Sequence, residues 1–121
     1  MVNHFPTYLL NTLHVVDNAI LTNEFGQLIG TSTQEDSRKE SLATLTAALQ
    51  RYTIKSLEHC NLGHSEYTHL LIQGGHYYLI PLSQQYTLGL ALSQAIDDTY
   101  QLIQQVQQLF TEYQVQNTRL V

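Results

Sequence analysis

The chain has 121 residues, of which 43 % are hydrophobic and only 12 % charged, so it can bury one real core and needs no disulfide or metal to fold. Its formal charge of −5, with five Lys and Arg in all, excludes non-specific binding to nucleic-acid phosphates. The single cysteine excludes an intrachain disulfide and favours a reducing, cytoplasmic setting; the opening MVNHFPTYLL has no cationic region, and no run of ~18 apolar residues occurs, so neither a signal peptide nor a membrane span is expected.

No linker or repeat divides the chain, and a single domain over 1–121 is expected, with its core at about 5–113 and a short tail at 114–121. Residues 6–14 read as a short helix. Pro6 suits a first helical position, and Tyr8, Leu9 and Leu13 share a face. Residues 15–22 are rich in β-branched side chains. They lead through Asn23-Glu24-Phe25-Gly26 into 27–32, a hairpin whose turn ends on a residue that tolerates positive φ. Ser37 and Glu40 have capping-box spacing ahead of a helix of about six turns, reaching roughly Cys60 and stopped by Gly63. That helix carries two apolar stripes, Leu42/Leu45/Leu49/Tyr52 and Ala43/Ala47/Ile54/Leu57. It therefore needs two partners rather than one.

Residues 66–73 and 76–82 flank Gly74-Gly75 and read as a tight hairpin, with Ile72 facing Tyr77, Leu71 facing Tyr78 and Leu70 facing Leu79. One face holds Tyr67, Leu71, Tyr78, Ile80 and Leu82; the other holds Leu70, Ile72, Tyr77 and Leu79. Both are apolar, so both should be covered. Residues 86–93 form a further strand. Tyr86, Leu88, Leu90 and Leu92 make its large face, and Thr87, Gly89, Ala91 and Ser93 a small one that lets a helix approach closely. A final helix over 95–116 places Ile96, Tyr100, Ile103, Val106, Phe110 and Tyr113 on one stripe, with Asp97 and Asp98 in its first turn and glutamines opposite. The order α-β-β-α-β-β-β-α predicts an α/β three-layer sandwich, a five-stranded antiparallel sheet with helices on both faces.

With that order, residues 5–113 resemble the Roadblock/LC7 family, which spans dynein light chains and bacterial regulators of small GTPases. The most telling segment is Ala19-Ile20-Leu21-Thr22-Asn23-Glu24-Phe25-Gly26-Gln27-Leu28-Ile29-Gly30-Thr31-Ser32, followed by the helix over Leu42–Cys60, the Leu70–Leu82 hairpin, Gly89 in the last strand and a long closing helix. The resemblance implies a non-catalytic adaptor that pairs with itself through the middle helix and the strand after it. It also implies a protein partner, such as a small Ras-like GTPase or a motility complex. The residues agree. The middle helix has apolar surface to spare, and the strand at 66–73 is an edge without Pro or Lys to blunt it. The dimer surface is accordingly expected on Ala47, Ile54, Leu57, Tyr67, Leu70 and Ile72, and a partner contact on Arg38, Lys39, Arg51 and Lys55.

No catalytic, cofactor or metal site is expected. His59, Cys60 and His64 offer one Cys and no C-x-x-C, so they lack the paired Cys/His spacings of a structural, four-ligand zinc site. Gly63-His64-Ser65 lacks the second glycine and the strand-to-helix context of a nucleophile elbow, and Gly74-Gly75 has no phosphate-loop lysine behind it. The alternative to an adaptor is a small-ligand sensor, with an enclosed pocket between sheet and helix near Gly89 and Tyr77/Tyr78.

Overall fold

A computed structural model describes residues 2–32 and 39–119, the last three by backbone alone. Ser37 and Arg38 lie outside the described residues. The elements follow the expected order: α1 (Phe5–Thr12), β1 (Asn18–Asn23), β2 (Leu28–Thr31), α2 (Lys39–His59), β3 (Thr68–Ile72), β4 (Gly75–Pro81), β5 (Tyr86–Leu92) and α3 (Thr99–Arg119). The sheet runs β2-β1-β5-β4-β3, and every neighbouring pair is antiparallel.

Local chemistry sets the punctuation. Asn23 Oδ1 accepts from the N–H groups of Phe25 and Gln27, both at 3.0 Å, and Gly26 closes the β1–β2 turn at φ 84°. α2 ends at His59, and its stop is Asn61, two residues before the expected Gly63. Asn61 takes φ 57°, and the Leu62 N–H closes on the Leu57 carbonyl at 2.9 Å, which satisfies an end-of-helix acceptor. α3 starts at Thr99, not 95, because Asp98 is its cap: the Asp98 carboxylate accepts from the Gln101 N–H at 3.0 Å.

The larger core lies between α1, α3 and the large-residue face of the sheet. Phe5, Leu9, Ala19, Leu21, Tyr78, Ile80, Leu88, Leu90, Leu102, Ile103, Val106 and Phe110 are all buried there. Phe5 meets Phe110 edge-on at 5.0 Å between ring centres and Tyr113 at 5.4 Å. Tyr100 departs from expectation. It is exposed, and Leu102 takes the core position beside Ile103.

α2 covers the other face, and it does so with small residues. Ala43, Thr46, Ala47 and Gln50 are its buried positions, over the side of the sheet that carries Ile20, Thr22, Thr87 and Gly89. Tyr77 rises between helix and sheet, with its Oη 2.7 Å from Thr46 Oγ1. Thr46 already donates to the Leu42 carbonyl at 2.7 Å, so Tyr77 is the donor in this pair. Burial pushes the Tyr77 phenol from its ordinary 10.0 up to about 12. The folded chain thus holds this proton longer than the unfolded chain does. Its contribution to stability is complete below pH 10.0, declines as pH rises and is gone above pH 12. The loss is about 3 kcal/mol over that window. Urea midpoints measured at about pH 9 and about pH 11 should fall steeply for the wild type and less for Tyr77→Phe.

The β3–β4 hairpin corrects the expected register by two residues. Leu70 faces Tyr77, His69 faces Tyr78 and Ile72 faces Gly75, so the turn is Gln73-Gly74 and Gly75 belongs to the strand. Gly75 sits at φ 140°, where a Cβ would lie 2.2 Å from the Leu92 carbonyl oxygen. Glycine is needed there for the close approach of the β5 end, not for the turn. A slip of two preserves the faces, so the grouping of side chains stands. Coverage does not: β4 is buried on both faces, whereas β3 is an edge with exposed side chains.

Candidate functional site

Two uncovered features lie side by side. On α2, Leu45 is 49 % and Tyr52 73 % exposed, with Leu42 and Leu49 half-buried beside them. On β3, Leu71 is 78 % and Ile72 48 % exposed, and Leu70 is half-buried. Their placement follows from the helix. Thr46 points to Tyr77 on β4, whereas a Cβ at Gly26 would lie 3.6 Å from that of Ala47, so the opposite flank faces the β1–β2 turn. A rotation of about 100° per residue then puts Leu42 and Leu49 on the Thr46 flank, toward β3, with Leu45 and Tyr52 facing outward. Leu70 and Ile72 point to the same side of the sheet as Tyr77. An apolar strip thus continues from the helix to the open strand edge, a combination typical of a surface awaiting a partner.

The residues expected at a dimer surface divide. Leu70 and Ile72 lie on this strip. Ala47 does not: it is buried against its own chain at the β1–β2 turn. Tyr67 is half-buried and packs toward Tyr78, 6.3 Å between ring centres, on the opposite face of the sheet. Ile54 faces the end of the sheet, and Leu57 is half-buried in the last turns of α2. Of the basic residues, Lys39 begins α2, and Arg51 and Lys55 are exposed on its flank away from Leu42 and Leu49. The Leu42/Leu45/Leu49/Tyr52 stripe was visible in the sequence, but its destination was not. The clue was complementarity, since Ala43 and Ala47 match the small sheet face at Thr87, Gly89 and Ala91.

The enclosed pocket near Gly89 that the alternative, a small-ligand sensor, called for is filled by protein. A Cβ on Gly89 would lie 1.9 Å from Tyr77 Oη. An open cleft of about 310 Å³ lies instead at the end of the sheet, between the second half of α2 and the β1–β2 and β4–β5 turns. Asn23, Arg51, His64 and Gln85 line its rim, and Ala47, Ile54 and Pro81 its apolar floor. Among the described residues, no three His, Cys, Asp or Glu side chains converge as metal ligands. No helix among them is long and apolar enough to cross a membrane.

Comparison with known proteins agrees with this architecture. A sequence comparison with curated proteins finds no match. Among solved structures, the chain is similar to Myxococcus xanthus MglB, with a TM-score of 0.76 at 14 % identity over 99 % of this chain and 96 % of that one. It is similar to a Roadblock/LC7 domain from Streptomyces avermitilis, with a TM-score of 0.75 at 13 % identity over 96 % and 97 %. The gliding protein MglB from Thermus thermophilus gives a TM-score of 0.70 at 13 % identity over 92 % and 86 %. These likenesses concern the fold, whereas the Roadblock/LC7 domain model matches the sequence itself over residues 7–92. By that match, which takes in α2, the open β3 edge and the last strand, the chain belongs to the Roadblock/LC7 family.

Proposed function

We propose that the chain is a non-catalytic adaptor that pairs with a second copy of itself and presents the joined surface to a protein partner. The observation that carries this reading is the apolar strip running from Leu45 and Tyr52 on α2 to Leu70 and Ile72 on the unpaired edge of β3. A two-fold axis perpendicular to the sheet would join β3 to its copy and set both α2 helices on the same face, covering both features at once. Family membership supports a regulatory role, and the fold likeness to a gliding protein is in keeping with a motility or signalling complex. A small Ras-like GTPase is the partner class that the family resemblance favours. Arg51 and Lys55, on the flank turned away from the strip, would remain free to meet an acidic partner surface.

Light scattering at high micromolar concentration tests the pairing. The expected mass is about twice the 13.8 kDa of one chain. A single-chain mass at that concentration would refute the dimer.

A further inference from the structure

The observed hairpin register brings together two side chains that the expected one kept apart. His69 faces Tyr78, so His76 is its diagonal neighbour on the same face of the sheet. His69 Nε2 lies 2.8 Å from His76 Nδ1, with the two rings 5.0 Å apart between centres. The buried Tyr78 ring stacks flat on His69, at 4.4 Å and 8°, and fixes its plane.

We propose that His69 and His76 form a binding site for a divalent cation of the zinc class at the open edge of the sheet. Neutral imidazole nitrogens are favoured ligands for such ions. Two nitrogens held by one cation at about 2.05 Å lie about 2.9 Å apart at a right angle and about 3.4 Å apart at the tetrahedral angle. The observed 2.8 Å separation matches the right-angle value and opens by about 0.6 Å to reach the tetrahedral one. Without a cation, one ring N–H donates to the lone pair of the other ring. On binding, the cation takes the place of that proton, and the donor ring carries its proton on its other nitrogen instead, so both imidazoles stay neutral. Among the described residues no third His, Cys, Asp or Glu joins the pair, so water fills the remaining positions. No Lys or Arg occurs between Lys55 and Arg119, and the chain carries a net −5, so the hairpin has no cationic neighbour in sequence to oppose a dication. A bound ion would clamp β3 to β4, and because it requires the folded hairpin it would stabilise the native state. The site needs one chain only and does not depend on the pairing proposed above.

The test is titration of protein free of any affinity tag with ZnCl2, in competition with a chromophoric zinc chelator. The wild type should bind about one Zn2+ per chain, and His69→Gln and His76→Gln should each weaken binding by at least about tenfold. His14→Gln, remote from the pair in sequence, should leave binding unchanged. Zn2+ should also raise the thermal midpoint of the wild type and of neither site variant. If circular dichroism shows His76→Gln misfolded, His69→Gln decides alone, because its ring is exposed. A wild type that takes up no Zn2+, or site variants that bind as well as the wild type, would overturn the site. Light scattering on the same samples separates the two proposals. A monomer that binds zinc upholds the site and refutes the pairing; a dimer that binds none does the reverse.

Discussion

Leu45→Glu is expected to convert the proposed dimer to a monomer while leaving the fold intact. In a single chain the side chain at position 45 is 49 % exposed, so a carboxylate there stays hydrated and costs the fold little. At the centre of a joined apolar strip it would be desolvated without a partner, at a cost of about 3 kcal/mol by conservative reckoning. That is a factor of about 150 in the dissociation constant. Sedimentation at matched concentrations reads it directly. Ile54→Glu gives the contrast. By sequence pattern Ile54 belongs to the dimer stripe, but in the fold it faces the cleft at the end of the sheet. It should leave the mass unchanged. If Ile54→Glu dissociates the dimer and Leu45→Glu does not, the strip has been placed on the wrong side of α2.

Gly89→Ala is expected to destabilise the domain by about 3 kcal/mol, seen as a lower urea midpoint. The new Cβ would lie 1.9 Å from Tyr77 Oη and 2.9 Å from Ile20 Cγ2. Tyr77 is buried and held to Thr46, so it can yield only by breaking that hydrogen bond or by lifting α2 from the sheet. Adding Tyr77→Phe should restore little, because the ring Cζ would still be 2.7 Å away. A Gly89→Ala chain as stable as the wild type would show that Tyr77 does not pack over Gly89.

What the sequence made legible was whatever depends on local chemistry or on parity. The Asn23–Gly26 turn follows from a side chain that bonds its own backbone and from a glycine at positive φ. The two faces of the β3–β4 hairpin follow from alternation, which a slip of two residues cannot disturb. The register itself was not legible. Gly74-Gly75 is a good turn, and the need for glycine at 75 comes from the distant backbone of Leu92 and Ser93. The His69–His76 contact was hidden for the same reason. On α2, hydrophobicity pointed away from the answer. A sheet face built from Thr87, Gly89 and Ala91 accepts Ala43, Thr46 and Ala47, which leaves the leucines outside. On α3, the stripe through Tyr100 overlooked Asp98 as the cap and Leu102 as a core residue.

Amide hydrogen exchange along the two sheet edges, followed as a function of protein concentration, tests the pairing most directly. Among the described residues, β3 amides that point away from β4 have no strand partner in a single chain. If β3 joins its copy, its outward amides should become protected as concentration rises, while exchange in β2 keeps the same rate at every concentration, and Leu45→Glu should abolish the effect. Outward β3 amides that exchange freely in a sample of dimeric mass would contradict the account.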